Sequence, residues 1–359
     1  MLPPDDDVCR PAVTANYTGA AGFVHLSFSI QVGWGNLGLI LFQVLLLAVV
    51  TDRTPVLAGE HANSLRRYFE LTPKVRFLSV PQPGRPDDVH IGRKLSVSGR
   101  PINTTFKMSQ IAADIASVVE RPLDSSSAIA VSPVLWPSQV VHGLLEHAWH
   151  LGRLVEHSSC LAPAFLFPKT KVSREVRRAA GGATAVHVRT CQPGGGSKST
   201  KSGNSSAFKD TCARNNREIL TWDDAAAAAV AAARSQQESA HPLFLAADAA
   251  QVFTLVRASK WHAPIRSFET LGRLTNYRYK PASFEKVDMD RIVYDWMAPV
   301  YAAQIIEINP SSFWPASLCL FNPHKALFLA SAFLPTHIKA RRSNSSLHQY
   351  TLPCVQVSK

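Results

Sequence analysis

Apolar and polar positions alternate along this chain in two successive series with the same grammar. The first begins at "FVHLSFSIQV" (23–32), which predicts a strand, followed by "GWGN" (33–36) as a turn. "LGLILFQVLLLAVVTDR" (37–53) is apolar almost all round, which predicts a buried helix. "TPVLAG" (54–59) predicts a second strand, completing a β-α-β unit of the kind that builds parallel sheets. Residues 72–107 read as irregular connections. "SQIAADIASVVERPL" (109–123) predicts a helix that ends before its proline, and "PSQVVHGLLEHAWHLGRLVEH" (137–157) an amphipathic one. "PKTKVSREVRRAAGG" (168–182) mixes charge, proline and glycine and marks a domain boundary.

The second series starts with the strand "ATAVHVRT" (183–190), followed by a low-complexity loop from Gln192 to about Asp210. "TWDDAAAAAVAAARSQQ" (221–237) predicts an alanine-rich helix with Thr221 or Asp223 available as its cap. "HPLFLAAD" (241–248) predicts a strand and "AAQVFTLVRAS" the helix after it. "IVYDWMAPVYAAQIIEI" (292–308) reads as a helix running into a short strand, and "NPSSFWPASLCLF" (309–321) as a turn opening a helix. The chain is therefore expected to be α/β, with an unstructured lead (1–18), an N-terminal domain (19–175) and a C-terminal domain with an extension (176–359).

Bulk properties narrow the class. At 359 residues the chain is too long for one ordinary core, and 46% hydrophobic with 18% charged residues is a globular composition. A net charge of +12 favours anionic partners. The basic clusters "REVRR", "KSTK" and "KARR" are not interleaved with aromatics, which argues against nucleic acid. The 6 cysteines contain no C-x-x-C pair and so do not suggest a zinc site. Asn16, Asn103, Asn204 and Asn344 each begin an N-x-[ST] triplet, which points to the secretory pathway. The opening "MLPPDDDVCRP" does not read as a cleavable signal peptide. Gly19 to Val50 carries no Asp, Glu, Lys or Arg and is long enough to span a bilayer, but its polar and glycine interruptions fit strand, turn and buried helix better.

Candidate chemistry sits at the ends of the expected strands. "GGATAVHVRTCQPGGGSKST" (181–200) is not a phosphate-gripping P-loop, because Lys198 follows Ser197 rather than glycine. His187 and Arg189 fall on one face near a strand's carboxyl end, where open parallel sheets bind ligands. They read equally as an anion-binding pair or as a structural histidine beside a solvated arginine. Gly35 and Asn36 in "GWGN" suit close backbone approach to a ligand, or a bare turn. Ser311, Ser312 and Phe313 open a helix whose hydroxyls and N–H groups suit a phosphate, or merely a cap. Asp248 is placed to accept from a ligand or an arginine, or to act as an N-cap. Cys191 and Cys212 flank the polar loop and are candidates for a bridge, among other pairings.

Taken in order, "IQVGWGNLGLILFQVLLLAVVTDRTPVL", "VHVRT", "LFLAADAAQVF" and "INPSSFWPASLCL" resemble the superfamily of GDP-fucose-dependent fucosyltransferases, which includes α1,2-, α1,6-, plant cell-wall and protein O-fucosyltransferases. The resemblance covers residues 24 to about 325 in islands: the G-x-G-N helix with Arg53 at its far end, the H-x-R strand and the S-S-F-W segment. It implies a GT-B fold of two facing Rossmann-like domains and an inverting transfer of fucose from GDP-fucose to a glycan or glycoprotein, in the Golgi. No D-x-D motif sits at the end of an expected strand, and "DMD" (288–290) reads as part of a polar connection, so no metal or other cofactor is expected. The resemblance further implies that Arg189 neutralises the departing diphosphate and His187 sits beside sugar or phosphate. Asn36, with Gly35, would reach the donor. Ser311, Ser312 and Phe313 would line the phosphate and nucleoside pocket, and Asp248 would support it or position Arg189. Many members follow H-x-R with an arginine or aspartate, and "TCQPGG" supplies neither. That departure keeps two alternatives open, a GT-B transferase using another nucleotide sugar and a non-catalytic member. Asp52 and Glu60 are the carboxylates near the first helix to weigh as a general base.

Overall fold

The computed structural model describes residues 16–27, 34–58, 60–78, 88–92, 108–120, 127–132, 134–153, 161–191, 219–235, 241–271, 286–309, 311–322, 325–329, 348–350, 352 and 354. The chain divides into two compact units. Unit 1 takes Met1–Ser173, Ala316–His324 and Leu352–Lys359, and unit 2 takes Arg174–Pro315 and Lys325–Thr351. The first division falls close to the expected boundary, but two C-terminal segments return to unit 1 instead of extending the second domain. A disulfide between Cys319 and Cys354 joins those two segments.

In unit 1, β1 (Phe23–Ser27) leads to α1 (Trp34–Val50), β2 (Thr54–Ala58), α2 (Glu60–Tyr68), β3 (Phe69–Leu71), β4 (Arg76–Leu78) and β5 (Val89–Ile91). There follow α3 (Met108–Glu120), β6 (Ile129–Val131), α4 (Ser138–His150) and β7 (Leu166–Pro168). Strands β4-β2-β1-β6-β5 form a parallel sheet in that order, while β3 and β7 pair antiparallel. Strand β1 is described over Phe23–Ser27, and the rest of the run expected as strand, 28–32, lies outside the described residues. The helix begins at Trp34, so the tail of "GWGN" is its first turn and not a separate turn. Short strands β4 and β5 also lie within the stretch read as irregular.

Helix α1 is buried on nearly every side, as its uniformly apolar composition requires. Each fully buried leucine contributes about 1.5–3 kcal/mol relative to exposure. Among the described residues no helix is long and apolar enough to cross a membrane. The end of α1 is a hydrogen-bonded reversal: Arg53 N donates to Ala48 O at 2.8 Å, and Asp52 N to Val49 O at 3.3 Å. Asp52 takes the left-handed conformation there, at φ 54°. Its carboxylate accepts from Thr18 N, Thr18 Oγ1 and Gly19 N at 2.7–2.8 Å. Tyr17 donates its hydroxyl to Arg53 O at 2.8 Å, so residues 16–18 are fastened to this turn and are not unstructured lead. The remaining lead, 1–15, lies outside the described residues.

Helix α5 (Thr170–Ala180) carries the chain from unit 1 into unit 2. The charge-rich stretch expected to mark the domain boundary contains this helix, with buried Val172, Val176 and Ala180 recurring every four residues. Gly182, at φ 68°, turns the chain out of it. In unit 2, β8 (Thr184–Val188), α6 (Trp222–Ser235), β9 (Leu243–Ala247), α7 (Ala250–Ala258) and β10 (Ile265–Arg266) follow. Then come α8 (Lys286–Tyr301), β11 (Gln304–Ile308), α9 (Phe313–Phe321), β12 (Leu327–Leu329) and β13 (His348–Tyr350). Helix α9 begins in unit 2 and ends in unit 1. Thr221 caps α6, accepting from Asp224 N at 3.1 Å.

The unit 2 sheet has the order β10-β9-β8-β11-β12-β13, parallel except for β13. In sequence terms this is third, second, first, fourth, fifth, sixth, the doubly wound order whose ligand crevice opens between the first and fourth strands. Those strands are β8 and β11. Val186, Val188, Leu243, Leu245, Ala247, Ile306 and Ile308 form one core with α6 and α7. Alternation therefore sends Ala185, His187, Phe244, Ala246, Ile305 and Glu307 to the other face.

Candidate active site at the end of strand β8

Six of the eight residues singled out from sequence lie in unit 2, at or beyond the carboxyl ends of β8, β9 and β11. His187 is the penultimate residue of β8 and is registered against Glu307 of β11 on one side and Ala246 of β9 on the other. It is 6% exposed. Its Nδ1 lies 3.2 Å from Glu307 Oε1. Its ring packs against Phe313 and Trp314 at centroid separations of 5.6 and 5.2 Å. Burial of an imidazole against a carboxylate needs such a partner, since an unpaired buried charge is costly.

Arg189 follows β8 and is half-buried. Its backbone is held on both sides: Arg189 N donates to Ile308 O at 3.2 Å, and its carbonyl accepts from Asn309 Nδ2 at 2.9 Å. Asn309 has φ 63°, a left-handed conformation that asparagine adopts more readily than most residues. That turn carries the chain from β11 toward α9. Thr190 is fixed by Asp248, whose Oδ1 accepts from Thr190 N and Thr190 Oγ1, each at 2.9 Å. Asp248 is thus no N-cap. The cap of α7 is Ala249, without a side-chain bond. Asp248 holds the residue next to Arg189. Cys191 is disulfide-bonded, and its partner, like Cys212, lies outside the described residues.

The S-S-F segment divides its roles. Ser311 N donates to Glu307 Oε2 at 3.3 Å, and Ser311 Oγ accepts from Phe313 N at 3.1 Å. Ser311 therefore works as the capping alternative, and the N-terminus of α9 is prepared from within. Ser312 and Phe313 are half-buried at that same end. Phe313 also forms part of the wall on His187.

Behind the histidine stands a group that pattern reading passed over. Arg291 and Asp295, one turn apart on α8, form a buried ion pair at 3.5 Å. Burial outweighs the attraction of Arg291 and His187 and pushes the Asp295 carboxyl up to about 6. The carbonyl of Asp295 accepts from Trp314 Nε1 at 2.8 Å. Pro299 lies inside α8 and has no N–H, so the carbonyl four residues back, that of Asp295, has no helical donor. The indole replaces it. A proline within an apolar helix and a tryptophan two elements later were the only sequence signals of this contact.

Gly35 and Asn36 stand in the first turn of α1 in unit 1, Gly35 buried and Asn36 half-buried, following β1 at the carboxyl edge of that sheet. Arg53 and Asp52 lie at the opposite edge, where Arg53 is 2% exposed and donates to Ser127 O. Asp52 is accordingly a structural carboxylate and not a base beside Asn36. Glu60 opens α2 directly after β2, on the carboxyl edge. The acidic pair in "DMD" (288–290) lies in α8 and not in a polar connection. Among the described residues, no group of three or more His, Cys, Asp or Glu side chains gathers as metal ligands.

No family model matches the sequence, and no curated protein does. Solved structures give likenesses of shape. The fucosyltransferase NodZ from Bradyrhizobium is 15% identical with a TM-score of 0.46, covering 86% of this chain and 94% of its own. A variant of Arabidopsis thaliana FUT1 in complex with GDP is 12% identical with a TM-score of 0.46, covering 88% of this chain and 71% of its own. POFUT1 in complex with GDP is 12% identical with a TM-score of 0.42, covering 87% of this chain and 99% of its own. Likeness at this level assigns neither family nor activity, and the functional reading rests on the residues of the site.

Proposed function

We propose that this chain is an inverting glycosyltransferase that moves fucose from GDP-fucose to a glycan or glycoprotein acceptor. The observation that carries the reading is the meeting of the H-x-R strand and the S-S-F segment at the crevice between the first and fourth strands of a doubly wound sheet. The motif order supplies the donor class. In a single displacement, the acceptor hydroxyl oxygen bonds to the sugar C1 and releases its proton to a base or to solvent as the C1 bond to the diphosphate breaks, and negative charge grows on the leaving phosphate. The Arg189 guanidinium stabilises that charge, with the N-terminal turn of α9 adding oriented N–H groups. We further propose that no metal is needed and that the protein acts in the secretory pathway, in the Golgi, consistent with the sequons and the disulfide-bonded cysteines.

A second reading, a non-catalytic binder of the same nucleotide, is favoured by one feature. The two positions after Arg189 are committed to structure, Thr190 to Asp248 and Cys191 to a disulfide. Thermal shift against GDP, UDP and CMP, followed by release of GDP from GDP-fucose with an acceptor panel, separates the readings. A ligand at 100 times its Kd stabilises by about 2.7 kcal/mol, well within detection. Stabilisation by GDP alone with turnover supports the transferase, and stabilisation without turnover supports the binder. Response to UDP or CMP instead points to another nucleotide sugar and overturns the GDP-fucose assignment.

A further inference from the structure

Glu307 is 1% exposed, in the middle of a sheet whose other positions on that face are mostly apolar. Its two oxygens are divided between the two motifs of the site: Oε1 faces His187 Nδ1 at 3.2 Å, and Oε2 accepts from Ser311 N at 3.3 Å. An ionised carboxylate at such a position costs several kcal/mol of desolvation unless its partners compensate. A leucine or valine would fill the strand without that cost. The placement makes sense if the carboxylate sets the state of the histidine.

We infer that Glu307 is a positioning residue that holds His187 with Nδ1 protonated and bonded, leaving Nε2 as an acceptor offered to a hydroxyl of a ligand bound beside Arg189. This rests on the nucleotide reading of the site. A carboxylate on one imidazole nitrogen fixes which nitrogen carries the proton and how the ring is turned. The ring is then held from turning by Phe313 and Trp314. Among the described residues the charged groups near it come from three elements: Arg189 just past the end of β8, Glu307 from β11, and the Arg291–Asp295 ion pair from α8. Alpha-helix α9 presents the uncharged Phe313 and Trp314, and β9 presents Ala246 in register. Among these groups, Glu307 is the one within hydrogen-bond distance of the ring. The bond from Ser311 N to the same carboxylate ties the start of α9 to this arrangement.

Two measurements on the full chain test the inference. Nitrogen-15 NMR of the ligand-free protein reads the His187 ring directly. The neutral ring is expected with its proton on Nδ1, and Glu307→Gln is expected to move part of the neutral population to the Nε2-protonated form. A neutral wild-type ring protonated on Nε2 overturns the inference without any variant. Isothermal titration with GDP then closes a double-mutant cycle between Glu307→Gln and His187→Ala. Glu307→Gln alone is expected to weaken GDP by up to about tenfold, since the bond from the ligand to His187 Nε2 is at stake, and to have little further effect once His187 is alanine. Equal losses in both backgrounds mean that Glu307 acts through Ser311 or the fold, and sink the inference. Wild-type protein that ignores GDP, yet shows the Nδ1-protonated ring, refutes the nucleotide reading and leaves the hold of Glu307 on His187 standing.

Discussion

Trp314→Phe tests how the wall behind His187 is built. Phenylalanine keeps an aromatic ring at a position with no solvent exposure but removes the indole N–H that reaches Asp295 O at 2.8 Å. That carbonyl then stays buried without the donor that Pro299 prevents the helix from supplying, at a cost of about 1–3 kcal/mol. The smaller ring also leaves unfilled volume, which adds a further penalty of about the same order. The two contributions separate in a Pro299→Ala background. There the new N–H at position 299 can bond Asp295 O along the helix, so loss of the indole no longer orphans it. The packing penalty is common to both backgrounds and cancels. The expected coupling is about 1–2 kcal/mol, with Trp314→Phe costing less when position 299 is alanine. Urea unfolding followed by far-ultraviolet circular dichroism, in non-reducing buffer, reads all four corners of the cycle. Costs that agree within about 0.3 kcal/mol in the two backgrounds would refute the exchange of a helical donor for an indole.

Arg189→Ala is expected to leave the protein folded while slowing fucose transfer by roughly two to three orders of magnitude, with Arg189→Lys recovering only a small part because an ammonium lacks the planar fork. Unfolding by the alanine change, or wild-type turnover, removes Arg189 from the site. Chelation with EDTA is expected to leave donor binding and turnover nearly unchanged, and activity lost in EDTA and restored by manganese defeats the metal-free proposal. Asp295 gives a pH signature: its folded carboxyl titrates near 6 against an ordinary 3.8, so its folded form holds the proton more tightly. Its contribution to stability is therefore present below about pH 4 and is lost as pH rises toward about 6. Asp295→Asn should flatten the melting temperature over that window, and an unchanged slope would show that Asp295 titrates normally.

The β-α-β grammar was readable because strands buried on both faces and a helix apolar all round leave little choice of period. His187 and Arg189 were readable too, because a histidine and an arginine at the carboxyl end of such a strand are unusual. Glu307 was not. Inside "QIIEI" a single glutamate reads as a surface position, and only the register of β11 on β8 brings it beside His187. Asn309, Asp295 and the pairing of Pro299 with Trp314 likewise depend on contacts between elements distant in sequence. The charge, proline and glycine of 168–182 mark a boundary, and the division between the units does fall there, but the helix α5 that spans it has an apolar stripe of only Val172, Val176 and Ala180 to announce it.

Unit 1 has a consequence for how the protein is made. Part of it consists of residues 316–324 and 352–359, which leave the ribosome after all of unit 2 up to Pro315. Phe321 stacks on Phe69 at 5.6 Å, and Cys319 waits for Cys354. Domains usually fold in order of synthesis, but here the first-made unit cannot close its core until residues 316–324, about 150 positions beyond Ser173 by the numbering of its segments, have been translated. During that interval Phe69 lacks its aromatic partner and must be shielded from aggregation by other means. Unit 2, whose sheet is assembled around β8, can take shape in the meantime.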